Sequence, residues 1–145
     1  MSHVPDHELV AAARAARALA YAPYSGYRVG AALLTSNGAV VQAANVENAS
    51  YGLTICAERA AVAAAIAAGH RHFEAVAIAA DGPGPATPCG ACRQVLREFP
   101  RALELRVLCA GESGDEVAVT TLGELLPASF GPERLARCEH EGGAP

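Results

Sequence analysis

Between residues 39 and 110 the chain alternates strand-like and helix-like segments, and this order restricts the possible folds more than any other feature. AVVQAANVE (39–47), HFEAVAIAA (72–80) and LELRVLCA (103–110) read as strands. A helix starts near Thr54 and meets Gly69 as its C-terminal cap, and another runs from Gly90 to Phe99 and is stopped by Pro100. Strands separated by helices cannot pair as hairpins, so the helices cross a sheet face and return the chain in parallel. At the start, RVGAALLTS and AVVQAANVE flank Asn37-Gly38, a hairpin signal, and near the end GESGDE turns tightly into EVAVT. Those two turns predict antiparallel edges. A further amphipathic helix spans Asp6–Ala20, with Leu9, Val10, Ala13, Ala16, Leu19 and Ala20 on one stripe. The prediction is an α/β fold: a three-layer α/β/α sandwich around a five-stranded mixed sheet.

The chain has 145 residues, 52% of them apolar, with no linker or charge run, so residues 1–145 are expected to form one domain with only 138–145 as a loose tail. The formal charge is -4, and the eleven basic residues, all arginine, are scattered, which argues against nucleic acid as a partner. The N-terminus lacks a basic region followed by a hydrophobic run, and the most apolar stretch, 57–68, is interrupted by Glu58 and Arg59. A soluble, cytoplasmic protein with no membrane partner is expected. Five cysteines, an odd number without a secretion signal, argue for reduced thiols.

Three of these thiols gather at helix starts. TICAERAA places Cys56 and Glu58 at the head of one helix, and PCGAC places Cys89 and Cys92 three apart in the first turn of the next. In an open α/β sheet such helix starts lie outside the carboxyl ends of the strands, where ligands bind, so two successive crossovers can bring three sulfurs together. Three thiolates suit zinc and leave a fourth position for water. CxxC alone is equally compatible with a redox pair or half of a structural zinc site. Glu58 favours catalysis, because a glutamate makes a poor core residue yet can shuttle protons beside an open metal position. Cys109, in an apolar strand, and Cys138, in the polar tail, are read as chemically idle, and none of the five histidines has ligand spacing with the cysteines.

Taken together, YAPYSGYRVGAALL, NVENASYG, TICAERAA, DGPGPATPCGACRQVL and LLPASF resemble the cytidine deaminase family, in its small homotetrameric three-cysteine branch, and do so in that family's order. The resemblance implies hydrolytic deamination of cytidine and 2'-deoxycytidine, in pyrimidine salvage, to uridine and 2'-deoxyuridine with release of ammonia. It implies one Zn2+ per subunit on Cys56, Cys89 and Cys92, and Glu58 as the group that carries a proton to ring N3 and then to the departing ammonia. Other small cytosine-containing nucleosides, or a non-catalytic zinc module, are the alternatives.

The same resemblance assigns Asn45 and Glu47 to the ribose 3'-hydroxyl, and the backbone of Ala57 to the base. Asparagine and glutamate two apart on a strand share one face and offer a donor and strong acceptors. Tyr27 falls where the family commonly has phenylalanine beside the substrate, and its hydroxyl needs a partner or water. Phe130 matches an aromatic that enters a neighbouring subunit's site. Three thiolates and one divalent ion leave a net negative charge, which Arg59 is expected to offset by donating to the sulfurs.

Overall fold

Five strands form one sheet in the computed structural model, which describes residues 4–138. They are β1 (Val29–Thr35), β2 (Val40–Ala44), β3 (Phe73–Ala80), β4 (Arg106–Ala110) and β5 (Val117–Thr121), ordered β2-β1-β3-β4-β5. β1 is antiparallel to both β2 and β3, β3 is parallel to β4, and β4 is antiparallel to β5. The three strands joined by crossovers, β2, β3 and β4, therefore point the same way, as the alternation predicts. Only β3 and β4 are bonded as a parallel pair, because β1 is inserted between β2 and β3. The hairpin closes at Asn37-Gly38, where Gly38 has φ 92° and donates its N–H to Thr35.

The helices are α1 (Asp6–Ala16), α2 (Ala57–Ala67), α3 (Gly90–Leu96) and the one-turn α4 (Leu122–Leu125). α1 is shorter than its apolar stripe predicts. From Arg17 to Leu19 the chain tightens into a 3-10 helix, whose larger rotation per residue swings Leu19 off the stripe and leaves it exposed. α2 ends as predicted, with Gly69 at φ 96° and paired N–H groups of Gly69 and His70 on the carbonyls of Ile66 and Ala65. α3 also ends early, at Leu96, and β4 begins only at Arg106 because residues 102–104 form another 3-10 turn. α4 is absent from the sequence reading, although its signal is present: Thr121 and Glu124 form a reciprocal capping box.

Alternate residues of the central strands feed two separate cores. Val76 and Ile78 of β3, with Ala31, Leu33, Val107 and Cys109, pack on α2, Leu96 of α3 and Leu122 of α4. Ala75, Ala77 and Ala79, with Ala32, Leu34, Leu108 and Ala110, pack on Leu9, Val10 and Ala13 of α1. Each fully buried Leu, Ile or Val contributes about 1.5–3 kcal/mol. α1 lies so close to β1 that a Cβ on Gly30 would sit 2.1 Å from the Ala13 carbonyl oxygen. Among the described residues no helix is long and apolar enough to cross a membrane. The residues from 139 onward, His3 and His140 lie outside the described residues.

Candidate active site

Because β2, β3 and β4 share one direction, the segments leaving their carboxyl ends converge at one edge of the sheet. The segment after β2 leads through a 3-10 turn, Tyr51–Leu53, to Cys56, and the one after β3 leads to Cys89. Cys56 occupies the N-cap position of α2 and Cys89 that of α3, but neither thiol caps its helix. Both sulfurs are thereby free to face something else. That something is each other: Cys56 Sγ lies 3.8 Å from Cys89 Sγ, which lies 3.6 Å from Cys92 Sγ. All three sulfurs fall within 4.8 Å of one another. Sulfurs held tetrahedrally about 2.3 Å from one zinc ion stand about 3.8 Å apart, so the cluster has the dimensions and the soft donors that zinc requires.

Hydrogen bonding and charge around the sulfurs are unequal. The Cys92 contact is the largest influence holding the Cys56 thiol down to about 5, against the opposing effect of burial, with Arg59 and Cys89 adding to it. Cys92, fully buried, is pushed in the other direction, first by that same contact and then by burial. Arg59 Nη2 lies 3.4 Å from Cys56 Sγ and 3.5 Å from the Thr54 carbonyl oxygen.

Beside the cysteines lies a cavity of about 240 Å3 lined by Tyr27, Val29, Asn45, Thr54, Cys56, Ala57, Glu58, Ile78, Ala86, Thr87 and Cys89. Glu58, only 4% exposed, has its carboxyl raised above the ordinary range, chiefly by desolvation and further by charge on Cys56. A carboxyl raised in this way holds a proton more readily than a solvated one, a property suited to proton transfer at neutral pH. A larger cleft of about 500 Å3, lined by residues including Arg97, Phe99, Arg101, Glu104 and Glu133, holds none of the cysteines. The cavity that carries the chemistry is the smaller one.

The two residues expected on one strand face lie just beyond the end of β2. Isolated bridges from Val46 to Tyr21 and Ile55 keep that stretch extended, so Asn45 and Glu47 still alternate with Val46. Asn45 Oδ1 accepts from the Val29 amide and its Nδ2 donates to the Tyr27 carbonyl, each at 2.9 Å. One donor and one acceptor site of the amide remain. Glu47 does not line the cavity. Its Oε1 accepts the amides of Tyr24 and Ser25 at 3.0 and 3.1 Å, and its Oε2 accepts the Ser25 hydroxyl at 2.5 Å. These bonds, the Ser25 hydroxyl first, hold its carboxyl below the usual range and shape the loop that carries Tyr27. Phe130 is 60% exposed and does not line its own chain's cavity.

Several residues that shape the site have no role assigned from the sequence. Ala86 and Thr87, within the DGPGPATP stretch, line the cavity immediately before Pro88-Cys89. Asp81 begins that loop. It accepts the Arg28 amide at 2.9 Å and the Arg28 guanidinium at 3.2 Å, and lies 3.1 Å from Arg17 Nε. Gly82 then donates to Glu112 Oε1 at 2.7 Å, tying the same loop to the segment after β4.

The family model described as "cytidine and deoxycytidylate deaminase zinc-binding region" matches residues 4–107. A cytidine deaminase of Halalkalibacterium halodurans is 48% identical, over 88% of this chain and 95% of its own length. One from Sporosarcina psychrophila is 44% identical, over 89% of this chain and 93% of its own. The 1.6 Å crystal structure of cytidine deaminase from Burkholderia pseudomallei is similar to this one with a TM-score of 0.82 and 51% identity, over 88% of this chain and all of that one.

Proposed function

Since the chain belongs to the family of the cytidine and deoxycytidylate deaminase zinc-binding region, we propose that it is a cytidine deaminase, converting cytidine and 2'-deoxycytidine to uridine and 2'-deoxyuridine with release of ammonia. The observation that carries this reading is a three-sulfur cluster with zinc spacing at the wall of a cavity that also contains a buried glutamate of raised pKa. A redox or purely structural zinc site has no use for Glu58, whose burial is costly. Cys56, Cys89 and Cys92 would hold the zinc, which when bound supplies a water acidified toward neutral pH.

The chain's own groups account for the proton traffic. Glu58 takes the proton of the attacking water and delivers it to ring N3 as C4 becomes tetrahedral, then takes the proton of the new C4 hydroxyl and passes it to the amino group, which leaves as ammonia. One carboxyl serves as base and acid in turn, because each transfer restores it. Its desolvated setting keeps these transfers from leaking to bulk water. Asn45, already braced by the backbone of residues 27–29, directs its remaining amide donor or acceptor to the ribose 3'-hydroxyl. Three of the four acceptor sites of Glu47 are taken by the 24–25 turn, which leaves one for the same hydroxyl. Tyr27 and the Ala57 backbone pack against the base. The absence of a basic cluster in the cavity lining favours a free nucleoside over a nucleotide.

A homotetramer is part of the same proposal. Tyr21, Tyr24, Val46, Tyr51, Leu53 and Ile55 are exposed on two segments joined by the bridges at Val46, an apolar surface suited to burial against other copies. Sedimentation of the purified protein tests this, with a fully active monomer as the contrary result. For the reaction, ammonia release from cytidine measured alongside zinc content is decisive: about one zinc per chain with turnover supports the reading, and zinc without turnover on any cytosine nucleoside leaves a structural zinc module. Glu47→Ala should raise KM for cytidine far more than for 3'-deoxycytidine, and equal losses on both would remove Glu47 from ribose recognition.

A further inference from the structure

After α4 the chain returns over α3 before entering a 3-10 helix, Pro132–Cys138. α3 grips this returning segment from one side. Arg97 Nε donates to Ser129 Oγ at 2.8 Å, and Arg97 Nη2 donates to Glu133 Oε2 at 2.5 Å. Gln94 Nε2 donates to the Phe130 carbonyl at 2.9 Å, and Arg93 Nη1 to the Leu125 carbonyl at 2.7 Å. Gly131 rests directly on the guanidinium: a Cβ there would lie 2.4 Å from Arg97 Cζ and 2.5 Å from each terminal nitrogen. Ala128, just before the gripped stretch, has φ 53°, a left-handed conformation that a non-glycine residue holds only when its surroundings impose it.

Arg97 is 8% exposed, whereas Phe130, at the centre of the segment it holds, is 60% exposed. Burying a guanidinium and fixing its rotamers is costly, and the return is a rigid backbone on both sides of one aromatic residue. The ring itself is given no shelter. It does not line the cavity of its own chain, and its anchor is the helix whose first turn carries Cys89 and Cys92. An apolar ring displayed on a stiff support referenced to the metal-bearing helix is built to fit a surface outside its own chain.

We propose that Arg97 is a positioning residue that, through Ser129, Gly131 and Glu133, holds Phe130 in place as a wall of the nucleoside pocket in a neighbouring copy. This rests on the reading of Phe130 as an aromatic supplied across a subunit boundary. Arg97→Lys keeps the charge but loses the planar fork that reaches Ser129 and Glu133 together. In the full-length zinc-loaded protein it should raise KM for cytidine about tenfold with kcat within about twofold, because a misplaced wall weakens substrate and transition state alike. In a Phe130→Ala background the same substitution should change KM by less than about twofold, while its lowering of Tm persists in both backgrounds. Glu133→Gln, at the exposed end of the clamp, should move KM in the same direction by a smaller factor and serves if Arg97→Lys fails to fold. An undiminished KM effect in the Phe130→Ala background, or none in wild type for both clamp variants, would overturn the positioning role. Wild-type kinetics in Phe130→Ala alone would instead overturn the reading of Phe130, whatever the clamp variants do.

Discussion

The two faces of the sheet are made from the same strands yet differ in what they bury. The face covered by α1 is lined by alanine and leucine and seals without a buried charge in its core cluster. The face covered by α2, α3 and α4 also packs Val, Ile and Leu, but the helices that cover it bring Glu58 and Cys92 into the interior. Gly30 on β1 lets α1 approach until the backbones nearly touch. On the other face, bulkier Val76 and Ile78 meet an α2 that buries Ala57, Ala61 and Ala65 together with Glu58 and Val62. The first face is organised for closeness alone. The second trades some apolar burial for a desolvated carboxyl and thiols, which destabilise a fold unless something offsets their burial.

If that division is right, the faces can be broken separately. Glu58→Gln on the functional side should lower kcat by about 10²-fold to 10⁴-fold while zinc content and Tm hold at or above wild-type values, since an uncharged amide replaces a buried acid. A matching loss of Tm would mean that Glu58 serves the fold instead. Leu9→Ala on the opposite side should cost about 2–5 kcal/mol in denaturant unfolding, leaving KM and kcat of the folded fraction unchanged. Gly30→Ala drives a methyl against the α1 backbone and should cost about 1–3 kcal/mol or more by the same measurement, again with kinetics intact.

Smaller changes sharpen the boundary between the faces. Arg59→Gln removes a charged donor to Cys56 Sγ, a bond of about 1.5–3 kcal/mol. It should lower kcat/KM by about tenfold to a hundredfold with zinc retained, and unchanged kinetics would leave Arg59 as a helix-surface residue. Asp81, which joins the 3-10 turn after α1 to the loop before Cys89, has its carboxyl held below the usual range, first by the Arg28 amide and then by its side chain. A depressed folded-state pKa contributes stability that is present above the unfolded value of about 3.9 and lost as pH falls through the folded one. The Tm gap between wild type and Asp81→Asn should therefore be full at neutral pH and close below about pH 4. A gap independent of pH would show that packing, not charge, fixes that loop.

The α1 helix illustrates how far periodicity carries. Leu9, Val10, Ala13 and Ala16 are buried as their spacing predicts, yet Leu19 is exposed, because the chain switches to a tighter helix at Arg17 where it must meet Asp81 and Glu112. Similarly, CxxC and the lone Cys56 were legible as metal ligands by type and spacing, whereas the roles of Asp81 and Arg97 were not. Their partners lie tens of residues away, and no local pattern marks an arginine that will be buried under a returning loop.

Local order along the chain determined the element types, the hairpin at Asn37-Gly38, the glycine cap of α2 and the residues able to bind zinc, because each depends on neighbours within a few positions. Tertiary structure alone decided that β1 separates β2 from β3, that three sulfurs come within 4.8 Å, that Glu58 is desolvated, and that Glu47 spends most of its acceptors on the 24–25 turn. Those outcomes depend on which strand pairs with which and on how tightly helices pack across it. Both are set by the summed burial of the whole core, a quantity that no short stretch of sequence contains.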